Sequence, residues 1–481
     1  MLFNSVEFIL FFLVVFFAYH IPLKGKTKAQ NVLLLAASYF FYGYANWKML
    51  PLLVITTIVF YFLGQGIAKA KTERTNSFLS TLGIVLGIGM LLYFKYLNFF
   101  IESTAHLLEG MGMNANIHTL NLIMPLGISF FTFRLISYVV EVHRETIEPS
   151  KDIVAFATYV SFFPCILSGP IDRPKFMKQL EKERVFDYDV AVDGLRQILW
   201  GLFKKMVVAD NCAHYVDMAW GDIAGNSGST LLLAAVLYLM QVYADFSGYS
   251  DMAIGIGKLL GFKIADNFKF PLFALNIADF WRRWHISLTT WMTDYVFMPL
   301  NLRFRGMGKW GMILAIVINM FLVGIWHGAN WTYAVYGLYH GLLFVPLVLT
   351  GAFARKEKLK TNRIGLPCLK DFGRIMLTWL LVVVGLIIFR ANSLGQFWMC
   401  VYRICDKTLF TIPDIISPTY FLPILIIIPF LIIMEWIYKD EEYGFKITNL
   451  NKTCRWIMYV ILISIVFLFG TKAETFIYFQ F

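Results

Sequence analysis

The 481-residue chain is 58% hydrophobic and only 15% charged, with a mean hydropathy of +0.64. Polar groups could not cover that much apolar surface in water, which excludes a soluble protein and places the whole of 1–481 in a bilayer as a single membrane domain. The formal net charge of +11 is explained by basic loops on the cytoplasmic side of a membrane, with no nucleic acid as partner.

In chain order, the first apolar stretch, Phe8 to Ala18, has no basic leader before it and no small-residue cleavage site after it. It is expected to be a retained span. A span takes about 20 apolar residues. Placing the basic clusters, such as Lys24 to Lys28, Lys69 to Arg74 and Lys175 to Arg184, in the cytoplasm orients the chain. Segments near 8–23, 31–47, 50–68, 78–101 and 122–142 read as spans. Ile153 to Leu167, with polar flanks and Pro164, is expected to be a re-entrant hairpin. Spans follow at 189–220, which holds Lys204 and Lys205, and at 230–260.

Residues 262–310 are too polar and aromatic to span, and are expected to form interfacial helices on the cytoplasmic side. The remaining spans are 311–329, 331–350, 374–390, 418–438 and 455–470. The reading is an all-α, polytopic protein of about twelve spans with both termini outside and an extracytoplasmic tail at 471–481. The six cysteines, at 165, 212, 368, 400, 405 and 454, form no CxxC pair and no metal-ligand spacing. They read as packing residues.

His327 lies in one of the most apolar stretches, Ile313 to Asn330. An ionisable ring at that depth must face protein or a watery cavity, and is a functional-site candidate. Imidazole also accepts a proton near neutral pH. His327 sits in Gly324-Ile-Trp-His-Gly328 and His340 in Gly337-Leu-Tyr-His-Gly341, frames that let helices approach closely. For either, the plainer reading is a packing device bonded to a neighbouring carbonyl. That reading is preferred for His340. Chemistry is preferred for His327, with Trp326, Asn330 and Trp331 as candidate tunnel lining.

His285 lies in Phe280-Trp-Arg-Arg-Trp-His-Ile-Ser-Leu288. Two readings stand side by side. The aromatics and arginines suit an interfacial anchor. They also suit a cytoplasmic mouth, where Trp281, Arg282 and Arg283 would receive an anionic donor such as a coenzyme A thioester. Asp245 and Asp251 are membrane-level carboxylates, read as cross-helix bonding in preference to a proton path. There is no Walker A loop, no GxSxG elbow and no HExxH.

Phe280-Trp-Arg-Arg-Trp-His285-Ile-Ser-Leu, followed by Trp291 and Asp294-Tyr295, resembles the first signature of the membrane-bound O-acyltransferase family. Gly324-Ile-Trp-His327-Gly-Ala-Asn-Trp331 resembles the second. Gly127-Ile-Ser-Phe-Phe-Thr-Phe133, Ser168-Gly-Pro-Ile-Asp-Arg173, Gly201-Leu-Phe-Lys-Lys205 and Asp245-Phe-Ser-Gly-Tyr-Ser-Asp-Met-Ala253 extend the likeness to the bacterial subgroup typified by the alginate O-acetyltransferase membrane subunit. The chain departs from that pattern at Arg134, where glutamine is common, and at Asn301 to Arg305, where a Gly-Gly-Asn-Arg run is common.

The resemblance implies tilted helices in a ring around a central funnel, with His327 as the catalytic histidine and His285 as a second one nearer the cytoplasm. It implies an O-acyltransferase of the bacterial inner membrane that moves acetyl from cytoplasmic acetyl-CoA toward an extracytoplasmic polysaccharide. Its expected partner is a secreted or membrane-anchored acetyltransferase, and no metal or resident cofactor beyond the donor is implied. Phe476-Ile-Tyr478-Phe-Gln-Phe481 resembles the tail of the small protein that assists teichoic-acid D-alanylation, which casts Tyr478 as an acyl relay or, more plainly, as a membrane anchor. The rival functions are D-alanyl transfer to teichoic acid, a proton-coupled transporter using Asp245, Asp251 and His327, and a structural scaffold.

Overall fold

Runs of Leu, Ile, Val and Phe leave no polar side chain to compete for backbone hydrogen bonds, and in a bilayer the backbone can satisfy itself within a helix. The computed structural model describes residues 1–113, 119–120, 122–355, 357–362, 365–414, 418–470 and 476–477. Among them the fold is all-α, with one isolated bridge, Thr361 to Pro367.

Seven stretches of the described residues are long and apolar enough to cross a membrane. Thr27–Ala68 is one 42-residue stretch, but it holds two helices, Thr27–Asn46 and Leu50–Ala68, broken at Trp47–Met49. The others are Glu73–Gly110, Gly228–Leu259, Lys309–His327, Trp331–Leu349, Leu369–Arg390 and Lys452–Phe469, with shorter apolar helices at Val6–His20 and Pro423–Ile437. These agree with most of the expected segments. The polytopic helical class is therefore established.

The 153–167 stretch forms only the nine-residue helix Ile153–Ser161, capped by Asp152. At about 1.5 Å per residue it is too short to span. The 262–310 stretch breaks into short pieces, including Ile277–Arg283, Ile286–Met292 and Met298–Arg303. The first part of this stretch, through Met292, is mostly buried.

The chain sorts into two compact units, Met1–Gly194 with Ala253–Ala265, and Leu195–Met252 with Asp266–Phe481. In the first, the buried Arg134 donates to the carbonyls of Tyr159, Val160 and Cys165, each at 3.1 Å. The last turn of a short helix leaves carbonyls without helical partners. Arg134 supplies donors there, which gives that departure from the family pattern a structural role.

In the second unit, two crossings set the site. A Cβ at Gly201 would meet the Gly248 carbonyl oxygen at 2.6 Å, so the backbones nearly touch there. The Lys309–His327 and Trp331–Leu343 helices cross at Gly324 and Gly337, where a Cβ on Gly324 would sit 2.8 Å from the Gly337 Cα. The expected role of the glycine frames is borne out. Beside the first crossing, Phe203–Ala209 is wound as a π-helix carrying Lys204 and Lys205, a winding frequent at functional sites.

Candidate active site

His327 is the last residue of its helix, which stops at the extended Gly328. His327 is 5% exposed. Trp326, Phe389, Tyr336 and Tyr333 surround it, with centroids 4.9, 5.0, 6.2 and 6.5 Å away. A helix end frees the following backbone to turn, so the imidazole stands at a corner walled by aromatic rings. Such walls exclude water and strengthen electrostatic interactions inside them.

His285 joins the helices Ile277–Arg283 and Ile286–Met292 with its backbone left-handed, at φ 46°. That conformation is costly for a residue with a Cβ and tends to persist where neighbours hold it. Asn267 does the holding. Its Oδ1 accepts from the Ser287 backbone N–H at 3.4 Å, so that atom is the carbonyl oxygen; it also accepts from Ser287 Oγ at 2.8 Å, and its Nδ2 donates to Ser250 at 3.0 Å. His285 Nδ1 lies 3.0 Å from the same Oδ1 and therefore carries a proton, placing the lone pair of the neutral ring on Nε2. Burial, followed by the nearby His327, holds the His285 pKa well below the ordinary histidine range. Trp326 bridges the two histidines, with its ring 5.6 Å from that of His285.

A polar cavity of about 580 Å³ adjoins this cluster. Tyr333 and Phe389 line it as well as flanking His327, and Asn330, Arg390, Asn392 and Gln396 add hydrogen-bonding groups. Lys205 closes another wall, with Nζ 2.7 Å from Asp210 and 2.8 Å from Asp245, all nearly fully buried. Lys204 pairs with Asp251 at 2.6 Å. The carboxylates singled out in the sequence are thus both bonded across helices.

The other candidates scatter. Asn330 caps the Trp331–Leu343 helix, accepting from Thr332 N and donating to Asn392 O, each at 3.0 Å. Trp331 is 58% exposed and does not line the cavity. Trp281 is buried and donates its indole N–H to His340 Nδ1 at 3.3 Å, so His340 bonds an indole in place of the expected carbonyl. Arg282 donates to the carbonyls of Ala278 and Phe353, and Arg283 pairs with Asp279 at 3.1 Å. Tyr478 lies outside the described residues, but Ile477 lines the cavity.

The sequence profile of the membrane-bound O-acyltransferase family matches residues 40–389. The chain belongs to that family. It is an integral membrane O-acyltransferase. Among curated relatives, the probable alginate O-acetylase AlgI of Pseudomonas aeruginosa is 35% identical over 404 residues, covering 83% of this chain and 74% of its own. The peptidoglycan O-acetyltransferase of Helicobacter pylori is 30% identical and aligns over 100% of this chain and 98% of its own. The teichoic acid D-alanyltransferase of Bacillus subtilis is 33% identical over 50% of this chain and 64% of its own. Within this O-acyltransferase, sequence reading missed Asn267, Tyr333, Phe389 and Arg390. Only Lys204-Lys205, charged within an apolar run, gave a visible signal.

Proposed function

We propose that the chain moves an acetyl group from cytoplasmic acetyl-CoA to an extracytoplasmic polysaccharide across a bacterial inner membrane. The observation that carries this reading is His327, set in aromatic walls beside a cavity rich in hydrogen-bonding side chains. Such a cavity suits a hydroxyl-bearing acceptor, and a buried imidazole suits the proton that acceptor must lose.

His327 takes the acceptor hydroxyl proton as the oxygen attacks the thioester carbonyl. The tetrahedral adduct collapses, the C–S bond breaks, and the imidazolium returns its proton to the thiolate. The neutral His285, oriented by Asn267, is a positioning group on the donor side, with Trp281, Arg282 and Arg283 shaping that side. Trp326 and Asn330 are read as tunnel residues, and Asn330 has support from its place in the cavity wall, whereas the exposed Trp331 lies off that wall. The chemistry draws only on the donor thioester.

Tyr478 is proposed as the first acceptor, its phenol forming an ester that a secreted or membrane-anchored acetyltransferase passes to the polysaccharide. The presence of Ile477 in the cavity wall supports this. Purified protein incubated with acetyl-CoA tests donor and relay together. The expected result is an acetyl mass on the peptide containing Tyr478, absent in His327→Ala. An unmodified peptide, with transfer to polysaccharide intact, rejects the relay.

The second reading is D-alanyl transfer, favoured by the teichoic acid D-alanyltransferase relatives. Those align over 50% of the chain against 83% for the alginate acetylase relative, so acetyl is preferred. A transporter is disfavoured because Asp245 and Asp251, which a proton path would use, are each held by a lysine.

A further inference from the structure

The Lys205 cluster carries more negative charge than its lysine needs. Asp210 alone, at 2.7 Å, would pair the ammonium, yet Asp245 also stands 2.8 Å from it. Burying a second carboxylate is costly unless both of its oxygens find donors. The second oxygen, Asp245 Oδ2, accepts from the backbone N–H of Ile477 at 3.0 Å. Hydrogen bonds from a backbone N–H to a carboxylate are among the stronger ones.

The residue before it, Phe476, is 1% exposed. Its ring lies 4.6 Å from Lys205 Nζ and packs edge-on against Tyr249 at 4.9 Å. A desolvated ammonium over an aromatic face is attracted to it. The Lys452–Phe469 helix is tied to the same region, since Asn211 donates to the Phe469 carbonyl at 2.9 Å. Thus 476–477 meets the cluster through a hydrogen bond, a cation–π contact and a ring contact. Nothing in ordinary helix packing asks for this arrangement.

We propose that Asp245 and Lys205 form a latch that binds residues 476–477 and positions this part of the chain in the wall of the acyltransferase cavity. The inference rests on the reading of Tyr478 as acceptor, and it makes Asp245 and Lys205 positioning residues for transfer. It gives a purpose to the pairing of Gly201-Leu-Phe-Lys-Lys205 with Asp245-Phe-Ser-Gly-Tyr249, two motifs that the His327 chemistry leaves unused.

The test places a cysteine at Ile477→Cys in the full-length protein and follows its alkylation by a membrane-impermeant maleimide, read at position 477 by peptide mass spectrometry. Exposed Cys405 and Cys454 then do not interfere. The latch predicts slow alkylation, accelerated roughly tenfold or more by Asp245→Ala, the size expected for losing a charge-assisted bond, and several-fold by Phe476→Ala, which removes the cation–π contact. Phe476→Ala decides the question should Asp245→Ala fail to fold. In parallel, Asp245→Ala is expected to lower acetyl delivery to the acceptor in the folded, full-length protein.

Equal alkylation rates in all variants would overturn the latch. Tyr478→Phe separates the two readings: if it transfers fully yet keeps slow alkylation at 477, the relay fails and the latch stands.

Discussion

The backbone of His285 sits at φ 46°, a region where a Cβ crowds its own carbonyl at a cost of roughly 1–2 kcal/mol. Glycine adopts that region freely, and asparagine shares the tolerance of histidine for it. Replacing His285 with Asn should therefore leave melting temperature nearly unchanged while transfer falls, whereas His285→Ala should lose both. Asn267→Ala removes the acceptor shared by His285 and Ser287, and should cost about 1–3 kcal/mol. Its transfer rate should fall further than stability accounts for, measured as kcat on folded protein; an unchanged kcat would mean that the tautomer of His285 does not matter. The folded pKa of His285 lies below its unfolded value, so its contribution to stability is present above the ordinary histidine range and lost as pH falls through the folded value. His285→Asn should flatten that acid limb of a melting curve. His327 was legible because an ionisable ring in an apolar run is conspicuous, and His285 because it sits in the Phe280 to Leu288 signature. Asn267 was not, since an asparagine near a chain of short helices looks like any turn residue until its three partners are in place.

At the level of elements, close helix crossings carry the site. A Cβ on Gly337 would meet the Phe321 Cα at 2.9 Å, while one on Gly89 would meet nothing within 4 Å. Gly337→Val is expected to destabilise by at least about 1–3 kcal/mol through overpacking, and Gly89→Ala to stabilise by roughly 0.5–1 kcal/mol. Melting of the purified protein checks both; similar shifts would mean that the crossing is not tight. The π-wound Phe203–Ala209 segment adds a second dependence. Lys205→Met would leave Asp210 and Asp245 buried without their cation, at a cost of about 3–5 kcal/mol. The GxxxG frames announced the crossing at Gly324 and Gly337 in the sequence. The π-winding had no such signal, because a register shift depends on what the lysines meet across the Gly201 and Gly248 contact.

For the whole molecule, hydrophobic length and loop charge located most helices, and the family signatures located both histidines. Boundaries were less legible: 122–142 became the buried Ile128–His143 helix, and 262–310 became several short, partly buried pieces. In both places the limits follow turns and packing that hydropathy does not encode. The cavity was equally invisible, since Lys205, Tyr333, Arg390 and Ile477 converge on it from separated segments. The central claim is that this arrangement moves acetyl groups with His327 as base. It is tested most directly by ester-linked acetate on envelope polysaccharides from cells carrying the wild-type protein, His327→Ala, or no protein. The account predicts that acetate falls to the same low level in the His327→Ala and protein-free cells, with the variant inserted normally in the membrane. Acetate unchanged in both would contradict it, and a fall in D-alanyl ester in the same samples would move the donor to the second reading.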